Sequence, residues 1–406
     1  MSFVAGGRRV VVTGLGAVTP LGTDVPTYWG RLVAGESGIG PITLFDAGEL
    51  TSRVAGEVTD FDPSDVLDRK EVRRNDRATQ MALVTCREAL VDAGLPVHLE
   101  GELAEMTGIL MGSGLGGTNT LIEQIATCRI DGPSRVSPFF IPMAIANMPA
   151  GVAGIAFGAL GPNYSTTSAC ASSGHALGES FEIIRRGDAD VMLAGGCEAP
   201  IADATVAGFS RMKALSTRNE APEAASRPFD AERDGFVVAE GSGTLVLEEL
   251  EHARRRGARI YAEVCGYGAT ADGYHITTPS PGGSGAVRAA RRALHKAGLE
   301  PSSIDLVSAH ATSTGEGDPT ELMGINTLVG EHAGKVSVTA TKSSIGHTLG
   351  AAGAIAAVAT VKALDDGVVP PTLNLHRPDE NAGALDLTPL EARERELEVA
   401  LVNAVG

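Results

Sequence analysis

A cysteine among small residues and two histidines in polar loops are the parts of this sequence that could do covalent chemistry. Ser165–Leu177 reads STTSACASSGHAL, and a helical stretch, Leu177–Arg186, follows it. Cys170 therefore falls near a helix start, where small neighbours admit a ligand and free N–H groups favour negative charge. A thiol of pKa about 8.5 is roughly 3% thiolate at pH 7. A helix terminus worth about 1 kcal/mol lowers that pKa by about 0.7 unit, which gives on the order of 15% thiolate. The expectation is a nucleophile able to take an acyl group from a thioester; the competing reading is a core cysteine. His310 ends an apolar run (IDLVSAH) and opens a polar loop, ATSTGEGDPTE. Thr341–Gly353 (TKSSIGHTLGAAG) places Lys342 and His347 ahead of a small-residue helix, Ala351–Leu364. Side chains at the carboxyl ends of strands in an α/β sheet are well placed to act on a ligand.

The elements that must position these groups alternate in kind. Arg9–Gly16, Glu105–Gly112, Asp190–Gly196, Gly243–Glu248, Arg259–Gly268 and Ile304–His310 read as strands. Between them run amphipathic helices, such as Ala286–Ala297 with Val287, Ala290, Leu294 and Ala297 on one face and Gly298 as its stop. Such alternation implies α/β layering. The openings at Arg9–Gly16 and Arg259–Gly268 resemble each other, a faint internal duplication with its joint near residues 252–259. The division predicted is 1–256 and 257–406.

Bulk properties narrow the function classes. The 406 residues are 43% hydrophobic and 20% charged, which a full core requires. A net charge of −17 and 4% aromatics argue against a nucleic-acid partner. The five cysteines are scattered without a CxxC pair, so neither a disulfide framework nor a zinc site is expected, and a reducing compartment fits. Cys86, Cys128, Cys197 and Cys265 read as core filler, and His175 as packing. Met1–Thr13 lacks the apolar core of a signal peptide, and Ile141–Leu160, broken by Pro142 and Pro149, reads as a turn and a buried helix. A cytoplasmic protein without membrane contact is expected.

Three segments in order, around Cys170, His310 and Lys342–His347, together with the opening VVVTGLGAVTPLG, resemble the β-ketoacyl-acyl carrier protein synthases. These are thiolase-fold condensing enzymes, and the chain is most similar to the elongating type with one Cys and two His. The resemblance implies two pseudo-duplicated α/β halves in a layered αβαβα sandwich. It implies that Cys170 carries the acyl chain, that His310 and His347 hydrogen-bond the malonyl thioester oxygen, and that decarboxylative condensation gives 3-ketoacyl-carrier protein. Lys342 and Glu321 match the family's supporting charges, expected to satisfy each other in contact, with Asp318 assisting. Thr312 and Thr314 match hydroxyls that bond the phosphopantetheine arm. Leu115 (in GSGLGG) matches the limit of the acyl pocket, Phe209 its wall, and Phe139 and Phe140 a position near pocket and subunit interface. Lys70, Arg73 and Arg74, in DRKEVRRNDR, match the docking site for the acidic acyl carrier protein, with Arg135 and Lys213 adding to it. No cofactor or metal is implied, and a homodimer is.

The match departs from the family at two places. Ala311 stands where the family often has Gly, a change expected to be tolerated. After Leu401–Gly406 (LVNAVG) the family continues with a Gly-Phe-Gly-Gly loop and a strand. Gly406 matches the loop's first Gly, so an incomplete sequence is expected. A polyketide ketosynthase subunit shares these motifs, and a non-catalytic module that binds carrier protein would keep the docking surface alone.

Overall fold

The computed structural model describes residues 7–406; the first six positions of the N-terminal run lie outside the described residues. Apolar runs become strands β1 (Val10–Val18), β2 (Thr107–Gly112), β3 (Asn163–Thr166), β4 (Val191–Glu198), β5 (Gly241–Glu249), β6 (Ala262–Val264), β7 (Leu306–Ser308), β8 (Ser337–Thr339) and β9 (Ala400–Val402). The helices that place the site are α1 (Arg77–Asp92), α2 (Thr118–Ile130), α3 (Phe140–Ala144), α4 (Met148–Phe157), α5 (Ser172–Arg186), α6 (Asp203–Arg211), α7 (Ser284–Ala297), α8 (Gly317–Val329) and α9 (Ala352–Asp366).

One sheet runs β3-β2-β4-β5-β1-β6 and a second runs β8-β7-β9. Strands β1, β4 and β5 are buried at every position, which is why their sequences are continuous apolar or small-residue runs rather than alternating ones. Helices α1 and α4 cover the outer face of the large sheet, and α5 and α9 fill the space between the sheets. Helices α7 and α8 close the far side of the small sheet. The result is the αβαβα sandwich expected from the sequence. Strand β6, from beyond residue 256, returns to pair with β1, Val10 opposite Val264, so the large sheet draws on both halves of the chain.

Helix α9 is Ala- and Gly-rich because backbones meet there. A β-carbon on Gly353 would lie 2.8 Å from the Gly174 nitrogen of α5, and one on Gly243 would lie 2.8 Å from the Ile355 nitrogen. Helix α7 shows the periodicity read from its sequence, with Val287, Ala290, Leu294 and Ala297 buried and Gly298 left-handed at its end (φ 68°).

Two expectations need correction. Cys86 and Cys197 are buried, but Cys128 and Cys265 are exposed and fill no core. The stretch 141–160 forms two helices rather than one buried helix. It buries Pro149, Ala150, Ala153 and Phe157, while Ile155 and Leu160 are 81% and 70% exposed. Apolar periodicity alone could not separate the core face from a face left open.

Candidate active site

The functional side chains gather where the parallel strands of both sheets end. Strand β3 leads into a tight turn in which Ala169 takes φ 49°, a conformation costly for a residue with a β-carbon. The Ser172 hydroxyl braces the turn, accepting from Ser168 N (2.9 Å) and donating to the Ala169 carbonyl (2.6 Å). The turn presents the Cys170 sulfur ahead of α5. Around it lie Ile201, Val206, Phe209, Phe236 and Leu349.

That apolar wall changes the acid–base expectation. Burial pushes the Cys170 thiol up to about 11, with the Lys342 charge working against the rise and the Glu198 charge adding to it. Desolvation outweighs the nearby Lys342 charge, which makes the thiol less acidic than its place before a helix suggests.

His347 Nε2 lies 3.0 Å from Cys170 Sγ. The His310 ring stands edge-on to His347, with centroids 5.5 Å apart and planes at 88°. Phe236 packs edge-on against His347 from another side, and Phe209 against Phe236, with centroids 5.3 Å apart in each pair. Burial and the Lys342 charge hold both imidazoles well below the ordinary histidine pKa, so both are neutral at pH 7. Val405 N–H donates to His310 Nδ1 (3.4 Å), which leaves hydrogen on Nε2, facing the site. His347 Nδ1 is buried without a partner among the described residues, so its tautomer is governed by the Cys170 thiol at Nε2.

The loop after β7 is held from inside α8. The Glu321 carboxylate accepts from His310 N (2.7 Å), Ala311 N (2.6 Å) and Asn403 Nδ2 (2.7 Å). Asp318 accepts from Ser313 N (3.0 Å), Thr314 N (3.3 Å) and Phe229 N (2.8 Å). These bonds stabilise left-handed backbone at Ala311 (φ 36°) and Ser313 (φ 70°). Ala311 is thus a strained position, not a neutral replacement for Gly. Burial raises both carboxyls, Asp318 to about 7.

Lys342 and Glu321 do not form the contact pair expected. Lys342 Nζ donates to the His310 carbonyl (2.6 Å), while Glu321 takes the same residue's N–H. The two charges brace His310 through its backbone, and among the described residues no carboxylate lies within ion-pair distance of the ammonium. Burial lowers the Lys342 pKa while Glu321 raises it.

Thr312 and Thr314 present their hydroxyls 3.1 Å apart at the mouth of this loop. Arg233 was not singled out from sequence. It donates to the Thr314 carbonyl (2.8 Å) and the Gly315 carbonyl (3.2 Å) and pairs with Asp379 (2.8 Å). Asn403 and Phe236 were also missed; each acts only through partners remote in sequence. Leu115 lies in the turn after β2 and is 40% exposed, and Phe140 opens α3. Lys70, Arg73, Arg74, Arg135 and Lys213 are all exposed, and Arg74 lies over the Phe139 ring, 4.7 Å from its centroid.

Comparison with known proteins agrees with this geometry. Residues 7–253 match the family model described as beta-ketoacyl synthase, N-terminal domain, and residues 261–376 match that of the C-terminal domain. A "3-oxoacyl-[acyl-carrier-protein] synthase 2" from Synechocystis is 48% identical over 98% of this chain and 95% of its own length. The protein of that name from Coxiella burnetii is 45% identical, over 98% and 96%. A type II polyketide ketosynthase solved in complex with its acyl-carrier protein superposes with a TM-score of 0.90 at 33% identity, over 98% of this chain and 97% of that one. The ishigamide ketosynthase/chain length factor gives 0.91 at 35%, over 98% and 96%.

Proposed function

The chain belongs to the beta-ketoacyl synthase family, and from that premise we propose that it is a 3-oxoacyl-[acyl-carrier-protein] synthase of fatty acid elongation. The observation that carries the reading is the meeting of Cys170 Sγ and His347 Nε2 at 3.0 Å, with His310 edge-on and Lys342 behind it. A module that only binds carrier protein has no need of that buried constellation.

In the first half-reaction the Cys170 sulfur attacks the thioester of an acyl-carrier protein. Its proton passes by way of His347 Nε2 to the departing pantetheine thiolate, and a thioester on Cys170 replaces the one broken. Acylation removes the S–H group, and His347 Nε2, no longer needed as its acceptor, can carry the neutral ring's hydrogen toward a second ligand. In the second half-reaction a malonyl thioester enters past Thr312 and Thr314. His310 Nε2–H and His347 Nε2–H donate to its carbonyl oxygen. The bond to the carboxylate breaks, carbon dioxide leaves, and the electron pair moves onto that oxygen as an enolate. Donors fixed where charge develops are the strongest source of rate enhancement available to such a site. The enolate carbon then attacks the acyl carbonyl, the new C–C bond forms, the C–S bond to Cys170 breaks, and the departing thiolate takes up a proton from water. Lys342 favours every anionic species here and keeps the imidazoles neutral.

The exposed cations Lys70, Arg73, Arg74, Arg135 and Lys213 form the docking face for the acidic carrier protein. A homodimer is supported by the open edge of β3 and the exposed apolar side chains Leu121, Ile125, Ile141 and Ile155 near it. Among the described residues no helix is long and apolar enough to cross a membrane, and the cytoplasm is the compartment we assign. The test is intact mass after incubation with a medium-chain acyl-carrier protein, beside Cys170→Ala, followed by malonyl-carrier protein. An adduct lost in the variant, then a 3-ketoacyl product, is the expected result. A folded chain that takes no acyl group overturns the assignment.

A further inference from the structure

Glu198 closes β4 with no exposed surface, and the reading of the motifs assigned it nothing. Its carboxylate has four donors. Ser113 Oγ (2.9 Å) and Leu115 N (3.1 Å) bond Oε1, and Gly114 N (2.7 Å) and Gly350 N (2.9 Å) bond Oε2. Four donors match the acceptor capacity of an ionised carboxylate, with none left over. No Lys or Arg pairs with it among the described residues. The backbone is cut to receive it: a β-carbon on Gly350 would lie 2.6 Å from Oε2, and one on Gly114 3.0 Å.

The donors come from two segments that each meet the nucleophile's surroundings, one against the residue before Cys170 and one carrying the histidine that meets its sulfur. Ser113–Gly116 follows β2, and Gly114 also packs against Ala169, the strained residue before Cys170. Gly350 belongs to the turn that carries His347. We infer that Glu198 is a positioning residue of the condensation, one carboxylate that holds the acyl-side loop 113–116 and the His347 turn in register across Cys170. This rests on the reading of Cys170 as acyl carrier.

Glutamine cannot replace it. An amide nitrogen brings hydrogens where N–H groups already point, and it would settle on the Ser113 side, where a hydroxyl can rotate to accept. Leu115 N–H then loses its partner and loop 113–116 loosens, while Gly350 stays bonded. Burial raises the Glu198 carboxyl and its four hydrogen bonds oppose that rise; the substitution also removes the negative charge of the carboxylate, which acts on the sulfur. The charged or titratable groups facing Cys170 are then Lys342 and His347, with His310 behind, and the thiol ionises more readily.

The experiment compares wild type with Glu198→Gln and Ser113→Ala in three readouts: condensation kinetics, the acyl chain length accepted, and the pH profile of Cys170 alkylation by iodoacetamide. In Glu198→Gln we expect kcat to fall tenfold or more with KM for malonyl-carrier protein within twofold, and alkylation at pH 7.5 to speed up at least threefold. Ser113→Ala keeps the charge and removes one donor. We expect it to lower kcat severalfold and change the chain-length profile without moving the alkylation profile. A residue of structural value alone would lower the folded fraction and leave kcat per folded enzyme and the chain-length profile in place. A folded Glu198→Gln with wild-type kcat or an unmoved alkylation profile overturns the inference. If that variant does not fold, Ser113→Ala with wild-type kcat and chain-length profile overturns it. Failure of the wild type itself to form acyl-Cys170 would instead overturn the function proposed above.

Discussion

Replacing His310 with Ala should separate the two half-reactions. The loop around it is held through its backbone. Glu321 binds His310 N and Ala311 N, and Lys342 binds the His310 carbonyl, and all three bonds survive loss of the ring. What disappears is one N–H aimed at the developing enolate oxygen, a weak bond from Val405 N and an edge contact with His347. Removing one such donor costs about 100- to 1000-fold in rate, or about 2.7–4 kcal/mol. The Cys170 sulfur hydrogen-bonds to His347. Acylation of Cys170, followed by intact mass, should therefore stay within about threefold, since no hydrogen bond to the sulfur is lost. Carbon dioxide release from malonyl-carrier protein should fall by the full factor. A variant in which acylation falls as steeply as decarboxylation would refute this division of labour. So would undiminished carbon dioxide release. His347→Ala serves as the contrast and should slow both steps.

Other perturbations follow from the same contacts. Alkylation of Cys170 should climb steadily from pH 7 to 9.5 without a plateau, because burial holds the thiol up to about 11, and Lys342→Met should slow it further by removing the charge that favours thiolate. Glu321→Gln places an amide hydrogen against N–H donors, so urea unfolding should show a loss of about 1–3 kcal/mol together with a loss of condensation. Ala311→Gly should stabilise the chain by about 1 kcal/mol, because φ 36° costs Ala and not Gly; unchanged stability in urea would contradict the strain argument. Arg73→Glu with Arg74→Glu should raise KM for acyl-carrier protein, and the gap to wild type should shrink as salt rises from 50 to 500 mM (roughly 14 to 4 Å Debye length).

Much of this was legible in the sequence because local chemistry and local folding agree there. Cys170 before a helix, His310 at a strand end, and Lys342 and His347 in one loop are candidates by type and neighbours, and it is their occurrence together, as in the family they resemble, that singles them out. The α/β order, the buried strands and the stripe of α7 follow from periodicity. The remainder is set by packing. The thiol's acidity depends on an apolar wall from α6 and the Phe236 segment, which no reading of residues 165–177 contains. The resemblance implies Glu321 and Lys342 as supporting charges in contact, whereas the fold gives each a different end of the His310 residue. Arg233 and Asn403 act on a loop about 80 residues away in sequence. Cys128 and Cys265 look like any small apolar residue, and only the assembled sheets and helices say which face is open.

Helix α9 can also be regarded as a spacer gauge. Cys170 hangs from the large sheet and the two histidines from the small one, so the 3.0 Å between sulfur and imidazole is the difference between two long supports. The thickness separating those supports is set where Gly353 meets Gly174 and Gly243 meets Ile355, with no side chain between. A single methyl there acts as a shim, widening the reacting gap without touching a reacting group. The tolerance of the chemistry is thus machined into residues that have no chemistry of their own, and a drift in rate can originate in the plainest side chains of the protein.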